Sequence, residues 1–177
     1  MQSVWILAKD LDIKHQEDHS KEGKRYWIRT LHLGIIVPKL VMVWGLRIIA
    51  RVNATEIINH TRYTAFLVFD LQNPENLKRA SAVTFGEEIT EELIEEIISS
   101  TEEQNFVFLD DGKNIYGQRG RHSRRRPDGW MEIELGEVYN NLGDDSVLNI
   151  CFWESDYKKR KSGLLVRGIE LRPSNDP

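Results

Sequence analysis

Apolar and polar side chains alternate along residues 130–135. One face of this segment carries Met131, Ile133 and Leu135, and the other carries Trp130, Glu132 and Glu134. A period of two is typical of a β-strand that buries one face. The pattern therefore predicts a strand with an aromatic ring and two carboxylates on its open face.

Similar strand patterns recur along the chain, and only one segment has helical spacing. Strands are predicted over residues 3–9, 25–30, 41–52, 62–71, 147–153 and 163–171. Apolar side chains between positions 89 and 98 recur at helical spacing with glutamates opposite, which predicts a short amphipathic helix capped by Thr90. Many short strands without alternating helices predict a mainly β fold, an antiparallel sandwich of two sheets.

Length and cysteine content limit the class of protein. With 177 residues, a single domain spanning residues 1–177 is expected. Cys151 is the single cysteine, so no internal disulfide can form, which suits a reducing compartment. No apolar run reaches the ~18 residues of a membrane span, and the first residues lack a secretion-signal pattern. A cytoplasmic location is therefore expected.

The net charge of −4 hides two oppositely charged segments. Residues 87–103 contain eight glutamates and no basic residue, whereas residues 113–126 contain Lys113 and five arginines without an acidic residue. These arginines are Arg119, Arg121, Arg124, Arg125 and Arg126. The run is typical of a nuclear-import signal or of a contact to RNA phosphates. A solvated loop that faces the acidic helix would have the same composition, and the arginines lack the interleaved aromatics of single-strand binders.

Two groups of aromatic residues have neighbours suited to carbohydrate binding. A ring such as Trp130 can cover the apolar face of a pyranose while Glu132 and Glu134 accept hydrogen bonds from its hydroxyls. Tyr26 and Trp27 follow a loop rich in charged residues, where a ring can serve as a stacking platform. Both groups also fit a structural role, with Trp130 folded over the sheet edge and Trp27 capping the core at its rim.

Catalysis and metal binding have weaker support in the sequence. The Cα atoms of Glu132 and Glu134 would lie roughly 6.7 Å apart on one strand face, within reach of the carboxyl separations of glycosidases. Because those acids usually come from different strands, solvated glutamates fit better and no enzymatic activity is expected. His15 and His19 have the spacing of a zinc pair on a helix, but their segment is not helical and no further ligand follows. No metal or cofactor is therefore expected.

Five motifs together resemble one protein family. They are residues 5–13, 26–27, 64–69, 128–137 (DGWMEIELGE) and 161–173 (KSGLLVRGIELRP). In this order they are similar to the phloem protein 2 family, the Nictaba-like plant lectins, over nearly the whole chain. The resemblance implies a jelly-roll-like β-sandwich. It also implies a non-enzymatic lectin that binds N-acetylglucosamine oligomers and the chitobiose core of N-glycans.

The resemblance further implies site residues. Trp27 matches a tryptophan that is implicated in sugar binding, and Tyr26 joins the predicted site as its neighbour. His15 stands where the family pattern has a second tryptophan. Glu154 matches a carboxylate of the family's site, although a second such acid falls near a serine of this chain. Because the strand around Glu154 carries one extra residue, either Trp153 or Glu154 could face the sugar.

Expected partners follow from the resemblance and from one apolar run. The partners implied are chitooligosaccharides and N-glycosylated proteins. Related lectins resemble dimers, and residues 31–37 have too few charges for a free sheet edge. A homodimer is therefore expected, although an internal strand would explain the run equally well. Related lectins are also partly nuclear and phloem lectins associate with RNA, so the alternative function is an RNA-associated phloem protein that binds phosphate through residues 119–126.

Overall fold

Two curled sheets build the structure, a computed structural model that describes residues 2–86, 90–100, 102–110, 121–141 and 146–174. In chain order the strands are β1 (Val4–Leu7), β2 (Asp12–Ile13), β3 (Trp27–His32), β4 (Ile35–Leu40), β5 (Leu46–Asn53), β6 (Thr61–Glu75), β7 (Arg79–Phe85), β8 (Phe106–Phe108), β9 (Arg121–His122), β10 (Arg124–Arg125), β11 (Met131–Asn140), β12 (Val147–Glu154) and β13 (Ser162–Pro173). The helix α1 covers Glu91–Ser99. The predicted mainly β sandwich with one short helix is confirmed.

The two sheets pack their apolar faces against each other. The larger sheet has the order β10-β11-β6-β13-β4-β3, with β1 also paired to β13, and the smaller sheet has the order β2-β5-β12-β7-β8-β9. Among the described strands, the pairs are antiparallel apart from β8 and β9, which run parallel. Met131, Ile133 and Leu135 of β11 lie in the main core, as their alternation predicts. Alternate residues of β5, from Leu46 to Val52, meet them from the smaller sheet.

The helix α1 covers part of the outer face of the smaller sheet. Its first turn is capped by Thr90, whose hydroxyl oxygen accepts a hydrogen bond from the backbone N–H of Leu93 at 3.2 Å. Ile94 is buried against Trp153 and Cys151, and burial raises the pKa of the Cys151 thiol to about 11. The predicted helix and its cap are confirmed. No helix in the described ranges has the length and apolar content needed to span a membrane.

The acidic side of α1 is paired with the sheet below it rather than with the arginine-rich segment. The guanidinium of Arg47 on β5 lies 3.3 Å from the Glu91 carboxylate and 3.7 Å from that of Glu95. Arg51, four residues further along β5, reaches Glu91 at 4.0 Å. Among the described residues, β5 rather than residues 121–126 supplies the charges opposite Glu91 and Glu95, while residues 119 and 120 lie outside the described part of the chain.

The strand predicted over residues 41–52 begins only at Leu46. The preceding residues form a loop because their backbone groups bond elsewhere: the N–H groups of Val41 and Met42 both donate to the carbonyl of Tyr26, at 2.9 and 3.2 Å. Val43 then forms an isolated bridge with Lys161. This loop closes one end of the sandwich.

The apolar run at residues 31–37 is a hairpin at the edge of the larger sheet. Leu33 and Gly34 connect β3 to β4 with φ values of 48° and 82°, the positive values that a tight two-residue hairpin turn requires. Leu31 and Ile36 lie opposite each other on the two strands, and Leu31 is 70% exposed. Among the described strands β3 ends the order of the larger sheet, so the run lies at an edge rather than between two strands.

Candidate functional site

Trp27 is a core residue. It is the first residue of β3, pairs with Leu40 of β4, and is only 2% exposed within the main core. Its indole Nε1–H donates to the carbonyl of Lys14 at 3.3 Å. The prediction that Trp27 is an exposed stacking platform is wrong, because the strand begins at Trp27 and directs the ring inward. The structural alternative, a tryptophan that caps the core at the rim, is confirmed.

The predicted neighbours of Trp27 lie on the outside of that rim. Tyr26 is half-buried against the core, and its ring centroid lies 4.9 Å from that of His15. The Nδ1 of His15 lies 3.0 Å from the Asp18 carboxylate, which orients the imidazole. The structure therefore brings His15 and Tyr26 together as one partly exposed aromatic pair above the buried indole.

Two further aromatic rings project from neighbouring loops. Trp44, in the loop before β5, is 47% exposed, and Tyr157, in the turn after β12, is 58% exposed. The Tyr157 ring lies against the backbone of Gly45, so close that a side chain at Gly45 would collide with it. Sequence reasoning missed both rings. A continuous strand over residues 41–52 would turn Trp44 to the same face as the buried Leu46 and Ile48. Tyr157 lies in a charged loop, the same signal that singled out Tyr26.

Glu154 is the acidic residue of this region. Its carboxylate is partly exposed and accepts a hydrogen bond from the backbone N–H of Asp156 at 2.8 Å. Trp153, the residue before it, is instead buried beneath α1. A shallow cleft is lined by Glu154 together with Lys14, Gly45 and Tyr157. Between the two alternatives left open by the sequence, Glu154 is the residue that reaches the cleft.

Lys161 connects the loops that carry these side chains. Its ammonium is fully buried and donates to the carbonyls of Trp44 at 2.5 Å, Asp156 at 2.5 Å and Lys159 at 3.0 Å. Burial lowers the pKa of Lys161 from its ordinary value, while the nearby carboxylates of Glu154 and Asp156 act in the opposite direction.

Three loops therefore converge at one end of the sandwich, and their exposed polar and aromatic side chains form one surface. The loops are joined by the cleft that Lys14, Gly45 and Tyr157 line and by the contact of His15 with Tyr26. We call the partly exposed side chains that these loops carry the end-loop surface: His15, Tyr26, Trp44, Glu154 and Tyr157. Aromatic faces beside hydrogen-bonding groups on a shallow, solvent-facing surface can hold a sugar ring.

Trp130 lies on the outer face of the larger sheet but is not open to solvent. It is buried among Val37, Val68 and Leu165, and the His32 ring meets it edge-on at 5.1 Å. The alternation predicted the correct face, yet the prediction of an exposed ring is wrong. The ring is covered because Trp130 belongs to a smaller apolar cluster on the outer face, separate from the main core.

Glu132 is likewise buried, at the centre of an ion-pair network. Its carboxylate receives Arg124 at 2.9 Å, Arg126 at 3.2 Å and Arg172 at hydrogen-bond distance. Burial alone would raise the pKa of Glu132, but the hydrogen bonds from Arg172 and Arg124 outweigh burial and hold the pKa below its ordinary value. The prediction that Glu132 binds sugar hydroxyls is therefore wrong, because arginines already occupy its oxygens.

Glu134 is half-buried on the same side of β11, two residues beyond Glu132. A glycosidase pair needs both carboxyl groups beside the scissile bond. The Glu132 oxygens are instead buried against Arg124, Arg126 and Arg172, so they are not open to a substrate. Among the described residues, no group of three or more metal-ligating side chains lies close enough together to hold an ion.

Three arginines in the described part of the arginine-rich segment are paired with carboxylates. Arg125 pairs with Asp70 at 3.2 Å, Arg126 with Asp128 at 3.1 Å, and Arg124 with Glu132 as described above. The guanidinium of Arg121 donates to two backbone carbonyls, and burial lowers its pKa. Arg119 lies outside the described residues. A role of this segment in import or RNA binding stays a prediction.

Comparison with known proteins identifies relatives over most of the chain. Residues 1–173 match the model of a family described as "Phloem protein 2". "Putative F-box protein PP2-B8" from Arabidopsis thaliana is 33% identical over 147 residues, which is 78% of this chain and 47% of that protein. "Putative F-box protein PP2-B2" from the same plant is 30% identical over 148 residues, 78% of this chain and 43% of that protein. The chain thus spans about half the length of the curated relatives it matches.

A solved structure of a Podospora anserina protein, titled "GH26-CBM35 beta-(1,4)- mannanase", aligns with 99% of this chain and 28% of its own. The TM-score is 0.45 and the identity is 13%. This level of similarity supports no statement about activity.

Proposed function

Because this chain belongs to the phloem protein 2 family, we propose that it is a non-enzymatic lectin that binds N-acetylglucosamine oligomers at the end-loop surface. The chitobiose core of N-glycans is the proposed natural form of this ligand. The observation that carries the proposal is that the loops bearing the partly exposed rings of Tyr26, Trp44 and Tyr157 meet at one end of the sandwich, where Glu154 lines a cleft. Large aromatic side chains that are exposed near one another are typical of a binding site.

The proposed mechanism is stacking combined with hydrogen bonding. The faces of Trp44 and Tyr157 cover the apolar faces of successive sugar rings, as aromatic side chains do with little loss of conformational entropy. Glu154 accepts hydrogen bonds from ring hydroxyls, and the His15 imidazole serves the acetamide. A shallow surface gains only a modest free energy from each ring, so longer oligomers should bind more tightly than short ones.

The proposal assigns Trp27 a supporting part. Its indole N–H holds the carbonyl of Lys14, the residue before His15. Tyr26 directly precedes Trp27, and its backbone carbonyl accepts hydrogen bonds from Val41 and Met42 in the loop that leads to Trp44. Trp27 therefore anchors two of the three loops from below. Trp130 and Glu132 have no part in the proposed site, because both are buried in contacts of their own.

Removing either exposed ring should weaken sugar binding without unfolding the protein. For Trp44→Ala and Tyr157→Ala we expect the chitotriose affinity to fall about tenfold each, a loss of about 1.4 kcal/mol, with a nearly unchanged thermal midpoint. Isothermal titration calorimetry with chitotriose measures the affinity. Tyr139→Ala is the matched control, because Tyr139 is similarly exposed but lies away from the end-loop surface. Its neighbour Asn140 hydrogen-bonds to Ala54, just after the end of β5 that is opposite to Trp44.

Two outcomes would contradict the lectin proposal. The wild-type protein could give no heat with chitotriose, or the control variant could lose as much affinity as the site variants. Salt separates the proposal from phosphate binding through the arginine-rich segment. Sugar stacking should respond little to ionic strength, whereas binding to RNA phosphates falls steeply between about 50 and 200 mM salt. A chelator should have no effect on sugar binding.

We also propose that the exposed β3–β4 hairpin joins two copies of the chain into a homodimer. Leu31, Leu33 and Ile36 are large, exposed and adjacent at the free edge of the larger sheet, and such edges are usually covered. A symmetric pair would bury the same patch on both copies and present two sugar sites to a multivalent glycan.

Light scattering at micromolar concentration tests the dimer. We expect a mass about twice the 20.7 kDa of the chain, and a single-chain mass for the double variant Leu31→Glu with Ile36→Glu. Trp44→Glu is the control, because it places a glutamate on an exposed apolar residue of the end-loop surface instead of the hairpin. A wild-type mass of 20.7 kDa that does not change with concentration would overturn this proposal.

A further inference from the structure

The ammonium of Lys161 is one of the most deeply buried charges in the described chain. Lys161 has 0% exposure, and it is among the largest fully buried side chains. A charged group that is removed from water is costly unless hydrogen bonds replace its hydration. A lysine ammonium has three donors, so three acceptors are needed to compensate it.

The three acceptors are backbone carbonyls from two different loops. One belongs to Trp44, in the loop before β5, and two belong to Asp156 and Lys159, in the turn after β12. Backbone carbonyls are fixed to the chain, so the ammonium determines how the two loops lie relative to each other. The backbone of Lys161 adds to this connection, since it exchanges hydrogen bonds with Val43 at 2.7 and 3.1 Å.

The two loops held by Lys161 carry the exposed rings of the end-loop surface. Trp44 itself supplies one of the acceptors, and Tyr157 lies within the turn formed by the other two. The Tyr157 ring also touches Gly45, the neighbour of Trp44. The distance between the two rings is therefore set by contacts that converge on a single ammonium.

The charged groups around the ammonium include the acid of the proposed site. The Glu154 carboxylate lies 3.9 Å from the Lys161 Nζ. The charge of Asp156 raises the pKa of Lys161, and the charge of Lys159 lowers it. The charge of Lys161 favours a Glu154 side chain that stays beside the two loops. Lys161 cannot contact the ligand itself, because its own side chain is fully covered.

We propose that Lys161 is a positioning residue for the carbohydrate site. It fastens the loop of Trp44 to the turn of Tyr157 and holds Glu154 beside them, so that the three side chains fit a sugar oligomer before it arrives. This inference rests on the proposed lectin function. A site that is organised in advance loses less entropy on binding, so loosening the loops should weaken binding even though every contacting side chain remains.

Lys161→Met tests the proposal, because methionine retains most of the apolar stem but lacks the ammonium. We expect its chitotriose affinity to fall about tenfold or more at a temperature where the variant is fully folded. Hydrogen exchange at the backbone amides of residues 155–160 should become faster, while the amides of β6 and β13 keep their protection. Lys158→Met is the matched control, since Lys158 is an exposed lysine of the same turn. Its affinity should stay within about twofold of the wild type.

A measurement on the wild-type protein serves if Lys161→Met does not fold. In protein labelled with ¹⁵N at lysine, the Lys161 ammonium should appear as a slowly exchanging signal, and saturating chitotriose should shift it. The signals of the exposed lysines at 158 and 159 provide the reference. An unchanged Lys161 signal at saturation would count against the positioning role.

The outcomes separate this inference from the proposed function. If the wild type binds chitotriose and a folded Lys161→Met variant binds equally well, the lectin proposal stands and the positioning role is overturned. If the wild type does not bind chitotriose, the lectin proposal fails. Hydrogen exchange then tests only whether Lys161 holds the two loops together. Unchanged exchange at residues 155–160 in Lys161→Met would overturn that role as well.

Discussion

Replacing Trp27 by alanine is expected to lower the free energy of unfolding by about 3–5 kcal/mol. The indole is 2% exposed in the main core, and its N–H bonds to the carbonyl of Lys14. Truncation would therefore leave a cavity and also free a carbonyl at the base of the end-loop surface. Urea unfolding followed by circular dichroism measures the change, and sugar affinity should fall with it because the loop loses its anchor.

Trp44→Ala is the comparison for Trp27→Ala, because the same side chain is removed from an exposed position. Surface substitutions usually change stability by less than about 0.5 kcal/mol, so Trp44→Ala should lose affinity while keeping its unfolding midpoint. If Trp27→Ala kept its stability as well, the ring would not be part of the core as described.

Replacing Glu132 by glutamine is expected to lower the unfolding free energy by about 3–5 kcal/mol, the usual effect of breaking a buried ion pair. Glutamine keeps the shape of the side chain but removes the charge that Arg126 and Arg172 share. The guanidinium of Arg126 would then be left partly buried with weaker partners. Glu137→Gln is the matched control on the same strand, because Glu137 is exposed and lies 4.0 Å from Arg62. Exposed pairs of this kind contribute about 0–1 kcal/mol.

The contribution of Glu132 should also depend on pH. Its pKa in the folded protein is lower than the ordinary value of 4.5, so the folded state binds the proton less readily than the unfolded state. The stabilisation is therefore fully present above about pH 4.5 and is lost as the pH falls through the folded pKa. Acid unfolding curves should show that Glu132→Gln loses less stability than the wild type between pH 5 and about pH 2. Parallel curves for the two proteins would contradict the assignment.

The inner faces of the sheets could be predicted from the sequence because burial against a facing sheet produces a period of two. Met131 and Ile133 on β11 follow that rule, and so does Ile48 on β5. The helix was equally predictable, since Ile94 and its glutamates follow the helical period and Thr90 is a good cap. In these elements the local pattern and the tertiary environment agree.

The outer face of the larger sheet could not be predicted in this way. In a strand with one buried face, Trp130 and Glu132 would be exposed to solvent. Here Trp5 from β1 and Arg172 from β13 lie nearby and cover this face. These partners are distant in sequence, so no local pattern signals the cover. Trp27 was misplaced for a related reason: a charged loop precedes it, yet the strand begins at that residue.

Part of the end-loop surface was also predictable. His15, Tyr26 and Glu154 were found through the family resemblance, and the structure places them at the same end of the sandwich. Trp44 was missed because the backbone leaves the strand at residues 41–45, where the chain bonds to Tyr26 and Lys161. One of these partners, Lys161, is 117 positions from Trp44, and the local sequence pattern does not reveal such a contact.

The pairing of β1 with β13 has a consequence for how the chain folds. β13 lies between β6 and β4 and also pairs with β1, so the larger sheet consists of three separate parts, β10-β11-β6, β4-β3 and β1, until residues 162–173 are in place. Contacts between such distant segments slow folding, because a long loop must close before they form. During synthesis, the apolar hairpin of β3 and β4 would therefore remain unpaired with the rest of the larger sheet until β13 is made. The emergence of β13 from the ribosome is the event that joins these parts into one sheet.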